Sequence, residues 1–158
     1  IELASSYIFN SYLDQNNADE NLQKVRYLVQ KAADIDPESG LVYYGKGVLN
    51  LMDNESEAAK QNFEKSLELI PNDANANQMI AIYYSYTENR DLEKGLFYIN
   101  RALELDPFSA LFSENKISIL LQSEKVEEAE AFFKSKKSLN ISFLEFTIFL
   151  VRFKAVSI

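Results

Sequence analysis

Apolar residues recur at helical spacing along most of this chain. Over residues 57–70, Ala59, Phe63, Ser66, Leu67 and Ile70 follow one another at intervals of one, three and four residues. That spacing is typical of an α-helix with one buried face. Similar patterns precede and follow this stretch, so the sequence predicts helices joined by short turns, and no strands.

Three prolines mark a repeat. Pro37, Pro71 and Pro107 follow the similar runs KAADIDP, KSLELIP and RALELDP, at intervals of 34 and 36 residues. Proline disfavours helical backbone in the residue before it, so a helix is expected to end just ahead of each one. Regular self-similarity of this length predicts a repeat protein, with two helices in each unit. The predicted units are 4–39, 40–73, 74–109 and 110–143, with a partial unit at 144–158.

Turn and capping residues agree with these boundaries. Ser39, Asp73 and Ser109 stand where the first helix of a unit, helix A, should begin, and all three are favourable N-caps. Asn54 followed by Glu57 resembles a capping box ahead of the second helix, helix B.

Together these features resemble the tetratricopeptide-repeat family. Its unit carries a large and then a small residue in helix A, then a small, an aromatic and a small residue in helix B, and finally a proline. In the second unit these positions are Tyr43, Gly47, Ala59, Phe63, Ser66 and Pro71, and in the third they are Asn77, Ala81, Gly95, Ile99, Ala102 and Pro107. In the fourth unit Ala129 and Phe133 match, while Lys136 replaces the second small residue.

The resemblance, which covers residues 4–143, implies an all-α fold. The family forms a right-handed superhelical stack of antiparallel helix pairs, an α-solenoid. For this chain that means a single repeat domain over 1–158, with about four repeats and a truncated fifth helix A. The small residues are expected to let helices A and B approach closely, and stacking of neighbouring units is expected to make the core.

Composition argues against several other functions. The net charge is −8 and the sequence pI is about 4.6, with no basic cluster, so nucleic acid is not an expected partner. The chain has neither Cys nor His, the common metal ligands, and no constellation of catalytic residues. We therefore expect no enzyme activity, no cofactor and no metal. The apolar stretch 141–156 contains Glu145, Arg152 and Lys154, which argue against a membrane span.

A partner-binding groove is implied by the resemblance, because the family lines its concave face with helix-A residues. Tyr83, Tyr84 and Tyr86 cannot all lie on one side of a helix, so at least one of them is expected to be exposed. The resulting candidates are Tyr12, Tyr44, Val48, Leu51, Gln78, Ile82, Tyr86, Glu114, Ser118 and Leu121, flanked by Ser5, Ile8, Leu41, Asn75, Ser85 and Leu111. The centre is expected at Tyr44, Val48, Gln78 and Ile82.

The predicted lining has no Lys or Arg, unlike relatives that clamp a C-terminal carboxylate. It suits an apolar helix or extended peptide, supplied by another protein or by another domain of the parent chain. The leading function is a non-catalytic scaffold module. One alternative is a regulatory or sensory domain of a bacterial transcription regulator or cyclase-type protein, and another is an accessory domain of an enzyme whose catalytic part lies elsewhere.

The chain begins at Ile1 without Met and ends in an apolar run, so we expect it to be a fragment of a longer protein. Phe146, Phe149 and Leu150 in that run are expected to favour self-association. The compartment is left open, with the cytoplasm preferred to a periplasmic or other extracytoplasmic location.

Overall fold

The computed structural model describes residues 18–88 and 90–136 of the chain. These residues form seven α-helices and no strand, which confirms the predicted all-α class for this part of the chain. The helices are α1 (Ala18–Ile35), α2 (Gly40–Met52), α3 (Ser56–Leu69), α4 (Ala74–Tyr86), α5 (Leu92–Leu105), α6 (Ala110–Gln122) and α7 (Val126–Ser135). The chain divides into two compact units, Ile1–Asn72 and Asp73–Ile158, so α1 to α3 belong to the first and α4 to α7 to the second.

The three prolines act as predicted. Helices α1, α3 and α5 end at Ile35, Leu69 and Leu105, each two residues ahead of a proline. Because proline restricts the backbone before it and cannot donate a hydrogen bond, each helix stops at the end of its apolar pattern.

The predicted N-caps of α2, α4 and α6 are confirmed in position. The Asp73 carboxylate accepts hydrogen bonds from the backbone N–H of Asn75 at 2.9 Å and of Ala76 at 3.1 Å. The Ser109 hydroxyl accepts one from the backbone N–H of Phe112 at 3.2 Å. Ser39 occupies the N-cap of α2 without a side-chain cap bond. Two of the three residues thus satisfy N–H groups that the helix itself leaves unpaired.

The predicted capping box at Asn54 and Glu57 is wrong. Helix α3 begins at Ser56 with Glu55 as its N-cap, and no side chain caps it. Asn54 lies in the turn, with a φ of 62° in the left-handed region that Asn tolerates better than most residues. Glu124, in the turn between α6 and α7, has a similar φ of 59°.

The first unit depends on a close approach between α2 and α3. A Cβ atom added at Gly47 would lie 2.6 Å from Cε1 of Phe63, so only glycine leaves room for that ring. Phe63 and Ala59 of α3 are fully buried. Helix α1 packs on α2 through a cluster that contains Val25, Val29, Leu28 and Leu49. The predicted role of the small residues as sites of helix contact is therefore confirmed at Gly47, and the full burial of Ala59 agrees with it.

In the second unit α4 packs on α5, α5 on α6, and α6 on α7. The core includes Ala81, Ile99, Ala102, Ile117 and Ala129, all fully buried. Most of these are the small and branched residues of the predicted repeat.

A second close approach joins α4 and α5 at Gly95. A Cβ atom added there would lie 2.6 Å from the Ser85 hydroxyl oxygen and 3.7 Å from Cγ2 of Ile119. The Ser85 hydroxyl donates a hydrogen bond to the backbone carbonyl of Ala81 at 2.7 Å, and Ser85 is only 1% exposed. Gly95 therefore lies where α4, α5 and α6 meet.

An ion pair links α1 to the turn after α2. The Arg26 guanidinium donates to the Asp53 carboxylate. That hydrogen bond lowers the pKa of Asp53 and raises the pKa of Arg26. Both side chains reach solvent, as do most other ion pairs of the described residues, and exposed pairs contribute little to stability. Apolar packing therefore holds the helices together.

Parts of the predicted architecture lie outside the described residues. These are helix A of the first repeat, with Ser5, Ile8 and Tyr12, and the partial fifth repeat, with Phe146, Phe149 and Leu150. The grouping of the helices into one repeat domain and the right-handed superhelix both stay predictions.

Enlarging a small contact residue is expected to destabilise the fold. Gly47→Leu and Ala59→Leu would overpack the contact between α2 and α3, at a cost of about 1–3 kcal/mol each. Gln61→Leu, on the exposed side of α3, is a matched control whose effect should stay within about 0.5 kcal/mol. Urea unfolding of the three variants measures the difference. Equal stability of Ala59→Leu and Gln61→Leu would contradict the packing assigned to Ala59.

The contact at Gly95 predicts a coupled pair of substitutions. Gly95→Ala gains helix propensity worth about 1 kcal/mol, but its methyl group would displace the Ser85 hydroxyl from its buried bond. In a Ser85→Ala background the methyl group has room. Gly95→Ala should therefore be more favourable there by about 1 kcal/mol, which a double-mutant cycle of unfolding free energies tests. Additive effects would mean that the two side chains do not meet.

Candidate functional site

The candidate groove residues of the first unit are mostly buried. Tyr44 is 7% exposed and Val48 is 4% exposed. The Tyr44 ring packs against Phe63 of α3, with 6.0 Å between ring centroids. Leu41 is exposed and Leu51 partly buried. Tyr44 and Val48 therefore offer little surface to a ligand, and for Tyr44 the contact with Phe63 gives the side chain a part in the core.

On α4 the candidate residues differ sharply in exposure. Gln78 is 3% exposed and Ser85 is 1% exposed, whereas Ile82 is partly exposed and Tyr86 is 56% exposed. Ser85 lies against Gly95, so Tyr86 rather than Ser85 continues the accessible stripe from Ile82.

The neighbouring tyrosines behave as the sequence predicts. Tyr83 and Tyr84 are buried at 1% and 8% exposure, so Tyr86 is the exposed member of the three. The Tyr84 ring packs edge-on against Tyr83 and stacks on Tyr98 of α5. Two of the three tyrosines therefore stabilise the helix pair and one is available for binding.

The candidates on α6 all retain some accessible surface. Leu111 is 54% exposed. Glu114, Ser118 and Leu121 are partly exposed, and Leu121 also packs against the core of the second unit. Asn75, at the start of α4, is exposed as well.

One hydrogen bond brings candidate residues of α4 and α6 together. The hydroxyl oxygens of Tyr86 and Ser118 lie 2.7 Å apart. Ile82 lies one helical turn before Tyr86, and Glu114 lies one turn before Ser118, so each pair shares one side of its helix. We name the surface formed by Ile82, Tyr86, Glu114 and Ser118 the α4–α6 face.

The chemistry of the α4–α6 face is that of a contact surface. It combines a branched apolar side chain, an exposed phenol ring, two hydroxyl groups and one carboxylate. Within residues 18–88 and 90–136, no group of three or more His, Cys, Asp or Glu residues is placed to hold a metal ion. Over the same part of the chain, no helix is long and apolar enough to cross a membrane.

Consecutive helices that pack in pairs around small residues define a helical-repeat protein. Within that class, a sequence model of the tetratricopeptide repeat matches residues 41–73, which lie in the second predicted repeat. Residues 41–73 thus match a tetratricopeptide repeat, and the resemblance stated from the sequence is confirmed there.

Solved structures of similar fold agree with the all-α helical architecture. MamA from Desulfovibrio magneticus RS-1 is 21% identical with a TM-score of 0.63, over 89% of this chain and 75% of that one. PilF of Pseudomonas aeruginosa is 22% identical with a TM-score of 0.65, over 88% of this chain and 62% of that one. At such identities the likeness shows the fold alone.

Two curated proteins are similar in sequence. Anaphase-promoting complex subunit 3 of Schizosaccharomyces pombe is 27% identical over 117 residues, which are 73% of this chain and 17% of that protein. The CTR9 homolog of Arabidopsis thaliana is 32% identical over 90 residues, 57% of this chain and 8% of that protein. The chain thus spans less than a fifth of either relative. The repeats and these neighbours support a protein-interaction scaffold in general terms.

The bond between Tyr86 and Ser118 can be tested by its effect on stability. Tyr86→Phe and Ser118→Ala each remove one hydroxyl group, and the double variant removes both. Because both groups are near solvent, their coupling free energy should be about 0.5–1 kcal/mol. Urea unfolding of the four proteins in a double-mutant cycle measures it. A coupling free energy of zero would contradict a stable bond between the two helices.

Proposed function

We propose that this chain is a non-catalytic scaffold module that binds a helix or extended peptide of a partner protein on the α4–α6 face. The observation that carries the proposal is the exposed ring of Tyr86, held to Ser118 of the next helix A by a 2.7 Å hydrogen bond. Exposed tyrosines are frequent anchors at protein interfaces, because they offer a large apolar ring and a polar tip.

The hydrogen bond also bears on the energetics of binding. A side chain that is already fixed loses less conformational freedom when a partner covers it, so more of the contact energy appears as affinity. Tyr86 therefore combines surface area with a preset orientation. By comparison Tyr44 and Gln78 are too buried to serve as main contacts, and the proposed binding surface is centred on the second unit.

Charge on the face is low, since Glu114 is its one ionisable side chain apart from the tyrosine phenol. We expect apolar contact to dominate, so the affinity should depend weakly on salt. This distinguishes the face from a site that recognises a charged terminus. One of the similar proteins is named as a subunit of the anaphase-promoting complex, which fits a role for such repeats inside a protein assembly.

The test compares two exposed aromatic residues of the same unit. Partners are captured from the native organism's lysate with the wild-type chain, and their affinities are then measured by calorimetry with the purified partner. Tyr86→Ala should weaken binding by about 1 kcal/mol or more, as loss of an interface anchor commonly does. Phe97→Ala, on α5 and 65% exposed, is the matched control and should leave affinity unchanged.

Thermal melts of both variants separate loss of binding from loss of fold. If Tyr86→Ala and Phe97→Ala bind the partner equally well, the α4–α6 face is not the binding surface. If the isolated chain captures no partner and a flanking segment of its parent protein protects Tyr86, the occupant is another domain of the same protein.

A further inference from the structure

Two lysines of the second unit converge on one aromatic ring. The Lys116 ammonium group of α6 lies 4.3 Å from the centroid of the Phe132 ring of α7. The ammonium group of Lys136, just beyond α7, lies 5.6 Å from the same centroid. Each contact is attractive on its own, but together they bring two positive charges close to each other.

Neither lysine forms an ion pair within the described part of the chain. Lys136 donates a hydrogen bond to the backbone carbonyl of Pro107 at 2.6 Å, which does not neutralise its charge. Burial is the main cause that lowers the pKa of Lys116, and repulsion from Lys136 lowers it further, against a smaller opposing effect of Glu128. The other lysines of α7 and its N-cap differ, since Lys125 pairs with Glu93 and Lys134 with Glu130.

Comparison with the preceding helix pair indicates that this surface is suited to packing. In the predicted repeats, Lys136 takes the place that Ala102 holds at the end of α5. Ala102 is fully buried in a cluster with Phe112 and Ile117 of α6, the next helix along the chain. The position that is buried at Ala102 is therefore occupied, one repeat later, by a lysine that has no ion-pair partner among the described residues. A segment that packs there is favoured if it supplies negative charge, because covering an ammonium group without a partner is costly.

We propose that Lys116, Phe132 and Lys136 form a binding site for a carboxylate on an acidic segment of a partner protein. Local charge complementarity favours this occupant, since one carboxylate would offset the repulsion between the two ammonium groups. Phe108 is 80% exposed and follows Pro107, the residue that Lys136 contacts, so an apolar residue beside the carboxylate would also find a contact.

This cation site is separate from the α4–α6 face. Lys116 and Ser118 are two residues apart on α6, which places them about 200° apart around the helix axis. A partner bound through one surface leaves the other accessible. Failure of either proposal therefore does not decide the other.

The experiment uses the full chain and two fluorescently labelled peptides. One contains Glu and Leu residues, and its twin has Gln in place of every Glu. The wild-type chain should bind the Glu peptide at least tenfold more tightly than the twin, and the difference should shrink at high salt. A Lys116→Gln and Lys136→Gln double variant should lose the difference. Lys134→Gln, which removes an exposed lysine of α7, is the matched control and should keep it.

Two further measurements make the result specific. Saturation with the Glu peptide should raise the pKa of Lys116 in NMR titrations, because a carboxylate beside it stabilises its charged form. Lys116→Met keeps the aliphatic stem and should melt as a folded protein while binding is weakened. Equal binding of both peptides, or an unaffected double variant, would overturn the proposal. Binding of inorganic phosphate without binding of the peptide would overturn the assignment to a partner protein.

Discussion

The close approach of paired helices at a small residue is the constraint on which the rest of this structure depends. At Gly47 the α2 backbone lies against the Phe63 ring, and at Gly95 the α5 backbone lies against Ser85 and within reach of Ile119. Ser85 and Ile119 are the chain neighbours of Tyr86 and Ser118, the two residues bonded on the α4–α6 face. The spacing that Gly95 permits thus sets the distance between the side chains that form the candidate site. The close approach at Gly95 therefore determines both the helix packing of the second unit and the geometry of its candidate binding surface.

Much of the fold follows from local sequence signals. Proline and the capping residues act on the backbone within a few residues, so helix ends at Leu69 and Leu105 and caps at Asp73 and Ser109 could be predicted. The capping box at Asn54 failed for a local reason as well. Asn can cap a helix or adopt a left-handed turn, and the three-residue connection between α2 and α3 uses the turn.

The candidate site was less predictable because exposure depends on neighbours that a single helix does not reveal. Helical spacing places Gln78, Ile82 and Tyr86 on one side of α4, but only the structure shows Gln78 buried and Tyr86 exposed. The paired cations at Lys116 and Lys136 come from different helices, so spacing along the chain does not indicate their meeting. The replacement of a small repeat residue by Lys136 was the one signal in the sequence that pointed there.

The order in which the helices pack has a consequence for how the chain folds. Within each unit the helices that pack extensively are consecutive in the chain, and the contact between α4 and α6 skips only one helix. Most contacts of the described residues therefore join segments that a short loop already holds close together, so little chain entropy is lost in forming them. Proteins with such local contact maps fold fast, in microseconds to milliseconds, and their helix pairs add stability step by step along the chain. We expect a single helix pair to be able to open and close while its neighbours remain folded, so that brief exposure of the core is confined to one pair at a time.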